Sequence, residues 1–139
     1  MSGGSAIMAH IRIIDDDVEY AQSIAVFLQG QGHTVSLRDD TDGMAEELAK
    51  DKPDLLILDV MFPENPAAGF DLAREVRETE GIQNLPIIML TAVNQEFPMD
   101  FSAGDIDPDW MPVQDFLEKP IDMQELLDKI KTLLSNAGK

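Results

Sequence analysis

The stretch Pro53-Asp-Leu-Leu-Ile-Leu-Asp59 indicates the fold class of this 139-residue chain. Its apolar core, residues 55–58, is too short for a helix and does not alternate with polar residues. A continuous apolar run of this length is typical of a strand that is covered on both faces. Such strands occur mainly in parallel sheets with helices above and below, so we expect that architecture here.

Outward from this stretch, apolar runs alternate with amphipathic segments on both sides. Strands are predicted at 11–14, 34–37, 55–58, 86–90 and 113–117. Helices are predicted at 18–29 after a cap at Asp17, at 44–50, at 70–79, and after a cap at Asp122 with an apolar stripe from Leu126 to Leu134. Regular strand–helix alternation predicts an α/β fold, a doubly wound five-stranded parallel sheet with helices on both faces.

One region departs from this regular pattern. Between the fourth and fifth strands, residues 92–112 contain Pro98, Gly104, Pro108 and Pro112. Proline removes a backbone donor and clashes with the preceding turn, so these breakers are too close together for a long helix. The fourth helix is therefore expected to be atypical: short, displaced or replaced by loop.

Composition limits the classes of function, and a length of 139 residues predicts a single domain. Acidic residues outnumber basic ones 27 to 10, which gives a net charge of -17. That balance argues against nucleic acid and anionic membranes as partners, since both attract clustered Lys and Arg. The chain has no Cys, two His and no apolar run of membrane-spanning length. We expect a cytoplasmic protein. Residues 1–9 are expected to be a flexible leader or cloning remnant, residues 10–136 the domain, and residues 137–139 a tail. Both His10 and His33 are expected at the surface.

Polar residues stand where the predicted strands end. These ends carry Asp15-Asp16-Asp17, Asp59, Thr91-Ala92 and Glu118-Lys119-Pro120. In a parallel sheet the carboxyl ends share one edge, where ligands bind near the switch in strand order. Carboxylates brought together repel, and an oxygen-only site suits Mg²⁺. A lysine beside such a site favours phosphoryl chemistry.

The sequence resembles the receiver domains of bacterial two-component response regulators, of the single-domain type, from about residue 11 to 134. The resemblance is carried by Ile13-Ile-Asp15-Asp16-Asp17, by Pro53-Asp-Leu-Leu-Ile-Leu-Asp59-Val-Met-Phe-Pro63, by Pro86-Ile-Ile-Met-Leu-Thr91-Ala92 and by Phe116-Leu-Glu-Lys119-Pro120. It implies the flavodoxin-like receiver fold. It also implies a signalling domain that phosphorylates and dephosphorylates itself, rather than a turnover enzyme.

The resemblance assigns roles residue by residue. Asp59 would accept a phosphoryl group from a histidine kinase or a phosphotransfer protein. Asp15, Asp16 and Asp59, with the backbone carbonyl of Met61, would hold Mg²⁺. Thr91 and Lys119 would bind phosphoryl oxygens, and Phe116 would be the aromatic switch that follows Thr91.

The implied partners are a sensor histidine kinase or phosphotransfer protein and a downstream protein target. Neither nucleic acid nor a membrane is expected, because no DNA-binding domain follows in the sequence. Output is therefore expected through a protein-binding surface or through onward phosphotransfer.

Two alternatives stay open. A pseudo-receiver would bind its partner without phosphorylation. A haloacid-dehalogenase-like phosphatase would use Asp15 as nucleophile and Asp17 as acid, since Asp-x-Asp follows the first strand. The phosphatase alternative leaves Asp59 unexplained, and the chain lacks both a cap insert and the later loop acids of those enzymes.

Overall fold

The computed structural model describes residues 9–40, 43–59, 68–92, 115–119 and 121–137. Within these ranges, strands and helices alternate as far as the fourth strand, and a fifth strand and a last helix follow. In chain order they are β1 (His10–Ile14), α1 (Val18–Gly30), β2 (Thr34–Arg38), α2 (Met44–Lys50), β3 (Leu55–Asp59), α3 (Ala68–Glu78), β4 (Ile87–Ala92), β5 (Asp115–Lys119) and α4 (Met123–Ala137).

The strands form one parallel sheet in the order β2-β1-β3-β4-β5. The predicted five-stranded parallel sheet is thereby confirmed. β5 lies two residues later than predicted, because its ladder with β4 continues to the pair Ala92 and Lys119. Strand order reverses at β1, which lies between β2 and β3, and in this fold class ligand sites form beside such a reversal.

Alternate residues of the central strands pack against opposite helical layers. One cluster, under α2 and α3, contains Ile14, Leu56, Leu58, Ile87 and Met89. The other, under α1 and α4, contains Ile11, Ile13, Leu55, Ile57, Ile88 and Leu90. Each of these side chains is fully buried, and burial of one Leu or Ile stabilises by about 1.5–3 kcal/mol. Both faces of β3 are therefore covered, as its continuous apolar run predicts.

α1 begins and ends with local hydrogen bonds. Asp17 caps it, because its Oδ1 accepts the backbone N–H of Tyr20 at 3.1 Å. At the other end Gly32 adopts a φ of 100°, which a side chain would disfavour, and its N–H donates to the carbonyl of Gln29. This turn lets β2 begin four residues after the end of α1 and pair with β1.

His33 is buried, so its predicted place at the surface is wrong. It is 7% exposed, and its Nδ1 accepts the backbone N–H of Ala9 at 3.2 Å. Burial lowers the pKa of His33, and the positive charge of Lys131 lowers it further. Because the partner of His33 is a backbone group 24 residues earlier, hydropathy gives no sign of this contact.

Some predictions fall on residues outside the described ranges. They include the atypical fourth-helix region, apart from Ala92 at its start, and the position of Met61. Among the helices that are described, none combines the length and the apolar character needed to cross a membrane.

Candidate functional site

Three carboxylates meet at the carboxyl edge of the sheet, beside the switch in strand order. Asp15 and Asp16 directly follow β1, and Asp59 is the last residue of β3. The backbone register pairs Ile14 with Leu58, which brings Asp15 level with Asp59. One oxygen from each of the three carboxylates lies within 4.8 Å of the others. The predicted acidic cluster is therefore present in the fold.

The two strand-end carboxylates are buried, while Asp16 is exposed. Asp15 is 1% exposed and Asp59 is 4% exposed. The backbone N–H of Asp15 donates to the carbonyl of Arg38 at 3.0 Å, and its Oδ1 accepts the N–H of Asp17 at 2.9 Å. These bonds fix the Asp15 backbone to the end of β2 and turn one side of its carboxylate toward the start of α1.

The donor set of this cluster fits a hard divalent cation. At 4.8 Å, two unit negative charges repel by about 3.5 kcal/mol when the effective dielectric constant is about 20. A cation held between the carboxylates replaces this repulsion by attraction. Among the residues that the structure describes, the cluster consists of carboxylate oxygens without His or Cys, and oxygen donors of this kind are the ones that Mg²⁺ prefers.

The strand register shows where the other predicted site residues lie on β4 and β5. Leu90 pairs with Asp59, so Thr91 lies one residue beyond it on β4. Lys119 ends β5 opposite Ala92. Phe116 lies three residues before Lys119 on β5, and its backbone pairs with Met89 of β4. Met61 is outside the described residues, so its predicted carbonyl ligand stays a prediction.

A buried charged group in β1 was not predicted from sequence. Arg12 lies within β1 at 4% exposure, and its Nη1 donates to Oε2 of Glu47 on α2 at 2.7 Å. The other oxygen of Glu47 accepts a hydrogen bond from Arg38, the residue whose carbonyl binds Asp15. In the sequence, Arg12 interrupts the apolar run 11–14. A charged residue inside a predicted buried strand needs a partner, and this sign of a buried ion pair was not used in the prediction.

The pairing shifts two pKa values. Hydrogen bonds from Arg12, and then from Arg38, hold the pKa of Glu47 below its usual value. The hydrogen bond to Glu47 raises the pKa of Arg38. Glu47 therefore stays ionised at neutral pH and ties α2 to the two strands whose ends hold Asp15.

Comparison with known proteins gives a consistent family assignment. The profile of the response regulator receiver domain matches residues 11–131. Response regulator MprA of Mycobacterium ulcerans is 35% identical over 126 residues, which are 89% of this chain and 49% of MprA. A chain of known structure from Chloroflexus aurantiacus, assigned to the response regulators, has a TM-score of 0.78 at 29% identity and matches over 93% of this chain and 99% of that one.

The expectation of no nucleic-acid partner is wrong. RpaA of Synechocystis is named a DNA-binding dual master transcriptional regulator, and it is 32% identical over 131 residues. The match covers 91% of this chain and 49% of RpaA, and the chain spans about half the length of the curated relatives it matches. A net charge of -17 describes the 139 residues of this chain alone, so it cannot exclude DNA as a partner of proteins of this kind.

The fold, the acidic edge of the sheet and the sequence match agree with one another. The sheet order and the carboxylates at the ends of β1 and β3 occur in a chain whose residues 11–131 match a single family profile. This chain therefore belongs to the response regulator receiver domain family.

Proposed function

We propose that this receiver domain accepts a phosphoryl group on Asp59 from a histidine kinase or a phosphotransfer protein. Acceptance would switch a protein-binding surface. The observation that carries the proposal is the position of Asp59: a nearly buried carboxylate at the end of the central strand, with carboxylate oxygens of Asp15 and Asp16 within 4.8 Å.

The chemistry needs one displacement at phosphorus. A carboxylate oxygen of Asp59 forms a bond to phosphorus, and the bond from phosphorus to the donor imidazole nitrogen breaks. The product is an acyl phosphate on Asp59 and a free imidazole. Little activation of the carboxylate is needed when it is held in line and the charge of the transferring group is balanced.

Charge balance is the task of the surrounding residues. Asp15, Asp16 and Asp59 would hold Mg²⁺, which when bound supplies positive charge to the phosphoryl oxygens. Lys119 would add a second positive charge from the end of β5, and Thr91 would donate a hydrogen bond from the end of β4. Their positions in the strand register support these roles, since Thr91 directly follows Leu90, the partner of Asp59, and Lys119 pairs with Ala92 at the same end of the sheet.

The switch would involve Thr91 and Phe116. A phosphoryl group adds charge and strong acceptor oxygens at one point, and a hydroxyl that moves toward it can couple to an aromatic ring nearby. Phosphorylation would thereby select one of two arrangements of this edge. A cytoplasmic location and the domain limits 10–136 belong to the same proposal.

Intact mass spectrometry tests the acceptor directly. The parent chain, Asp59→Asn and the control Asp51→Asn are incubated with Mg²⁺ and acetyl phosphate. Asp51 is an exposed acid just after α2, outside the acidic cluster. We expect one added phosphoryl group in the parent and in the control, and none in Asp59→Asn.

Other outcomes would favour the alternatives. A group that is kept in Asp59→Asn but lost in Asp15→Asn would favour the phosphatase-like chemistry. No gain in the parent chain, with acetyl phosphate or with a phosphorylated kinase as donor, would favour a pseudo-receiver. Either result would overturn Asp59 as the acceptor.

A further inference from the structure

A chain of hydrogen bonds leads from the acidic cluster to the connection after β5. Oδ1 of Asp15 accepts the N–H of Asp17 at 2.9 Å, and Oδ1 of Asp17 accepts the N–H of Tyr20 at 3.1 Å. The phenol oxygen of Tyr20 accepts the backbone N–H of Ile121 at 2.8 Å. Donor and acceptor in this last bond are 101 residues apart in sequence.

The last bond joins segments that the sheet itself keeps apart. β1 and β5 are separated by β3 and β4, so no strand ladder connects Asp15 to the end of β5. Tyr20 and Ile121 are both partly buried against the apolar cluster under α1 and α4. The hydroxyl of Tyr20 therefore fixes the chain two residues after Lys119 to the helix that begins beside Asp15.

We propose that Tyr20 is a positioning residue for phosphoryl transfer. By holding the N–H of Ile121, it sets where the chain around Lys119 lies relative to the carboxylates. The inference rests on the proposed function, because Lys119 matters to the rate only when a phosphoryl group is transferred.

The hydrogen bond of Tyr20 is expected to affect the transfer rate because a displaced Lys119 would slow the reaction. A long lysine side chain reaches a fixed point only when its own backbone is fixed, and small errors of position slow a transfer reaction. Tyr20→Phe keeps the ring in its apolar surroundings and removes the hydroxyl whose oxygen accepts the N–H of Ile121. A single neutral hydrogen bond has a net value that corresponds to about a fivefold change in rate.

The test measures phosphorylation of the parent and Tyr20→Phe by acetyl phosphate at saturating Mg²⁺. We expect the maximal rate to fall about fivefold in Tyr20→Phe, because the end of β5 is held less well. The Mg²⁺ dissociation constant should stay unchanged, because the carboxylates and the cap of α1 are intact. Phe27→Leu is the matched control, since Phe27 is another partly buried aromatic of α1 on the same cluster. It should lower the melting temperature and leave the maximal rate unchanged.

A double-mutant cycle with Lys119→Ala shows whether the hydroxyl acts through the lysine. We expect Tyr20→Phe to cause no further loss once Lys119 is removed. The same loss in both backgrounds, or a parent-like rate in Tyr20→Phe, would overturn the positioning role while phosphorylation of Asp59 still stands. Absence of phosphorylation in the parent would overturn the proposed function and this role together.

Discussion

The backbone N–H of Asp17 donates a hydrogen bond of 2.9 Å to Oδ1 of Asp15. Although the two acids are close in sequence, their surroundings differ. Asp15 is 1% exposed within the acidic cluster, whereas Asp17 is exposed and its carboxylate caps α1. This division of tasks favours receiver chemistry over the phosphatase alternative, because that alternative needs Asp17 as a catalytic acid.

The first prediction concerns the cap. Asp17→Ala should lower the free energy of unfolding by about 1 kcal/mol, because the N–H of Tyr20 loses its acceptor. Asp17→Ser should have a free energy of unfolding close to that of the parent, since a serine oxygen caps equally well. Urea denaturation without Mg²⁺ measures both changes. If Asp17→Ser retained stability but lost phosphoryl chemistry on the protein, Asp17 would have a chemical role and the cap interpretation would be incomplete.

The second prediction concerns Asp16, the exposed member of the cluster. Without Mg²⁺, Asp16→Asn should raise the free energy of unfolding by up to about 1 kcal/mol at low salt, since it removes repulsion from two buried carboxylates. The stabilisation that added Mg²⁺ gives the parent should shrink, because a ligand stabilises only as far as it binds the folded state.

Thermal melting with and without Mg²⁺ measures both effects in Asp16→Asn and in the control Asp51→Asn. Asp51→Asn removes the same charge away from the cluster. An equal Mg²⁺ response in the parent and in Asp16→Asn would show that Asp16 is not a metal ligand.

The fold was predictable because hydropathy and covalent order determine it directly. The unbroken apolar run 55–58 predicts a strand covered on both faces, and the structure places alternate residues of β3 in the two clusters. The same logic predicted that Asp15 and Asp59 meet, because the carboxyl ends of neighbouring parallel strands share an edge.

Contacts that a side chain makes with a residue far away in sequence were not predictable in this way. Arg12 pairs with Glu47 across 35 residues, and Tyr20 reaches Ile121 across 101. Each bond depends on how a helix lies on the sheet, a property that periodicity does not encode. The burial of His33 was missed for the same reason, since its partner is a backbone group and leaves no residue-type signal.

The third prediction concerns the pairing of Arg12 and Glu47. Glu47→Gln should destabilise the fold more than Arg12→Leu does. Loss of the Glu47 charge leaves the Arg12 side chain, 5% exposed, without its carboxylate partner, and its Nε already lacks a hydrogen-bond partner among the described residues. Arg12→Leu removes the buried cation itself and leaves Glu47, 38% exposed, with Arg38.

The pH dependence has a definite sign. The pKa of Glu47 is lowered in the folded state, so its contribution is complete above the usual value of 4.5 and is lost as the pH falls toward the lowered pKa. Urea denaturation across this range should show the parent losing its advantage over Glu47→Gln as the acid protonates. A larger loss in Arg12→Leu than in Glu47→Gln at neutral pH would contradict the pairing described here.

The last prediction concerns His33. Its folded-state pKa is lowered, first by burial and then by Lys131, while in the unfolded chain it titrates near its usual 6.5. Below that pH the unfolded chain takes up a proton that the folded chain resists, so the free energy of unfolding falls with decreasing pH. The slope has an upper limit of about 1.4 kcal/mol per pH unit for one group. Above pH 6.5 the contribution is complete.

Protonation would also place a hydrogen on Nδ1, which accepts the N–H of Ala9 in the fold. Urea denaturation at a series of pH values between 7.5 and the lowered pKa gives the free energy of unfolding as a function of pH. The free energy should fall less steeply with decreasing pH in His33→Gln than in the parent. Parallel curves for the parent and His33→Gln would mean that His33 takes up its proton equally well in both states, and the destabilising effect of its burial would then be disproved.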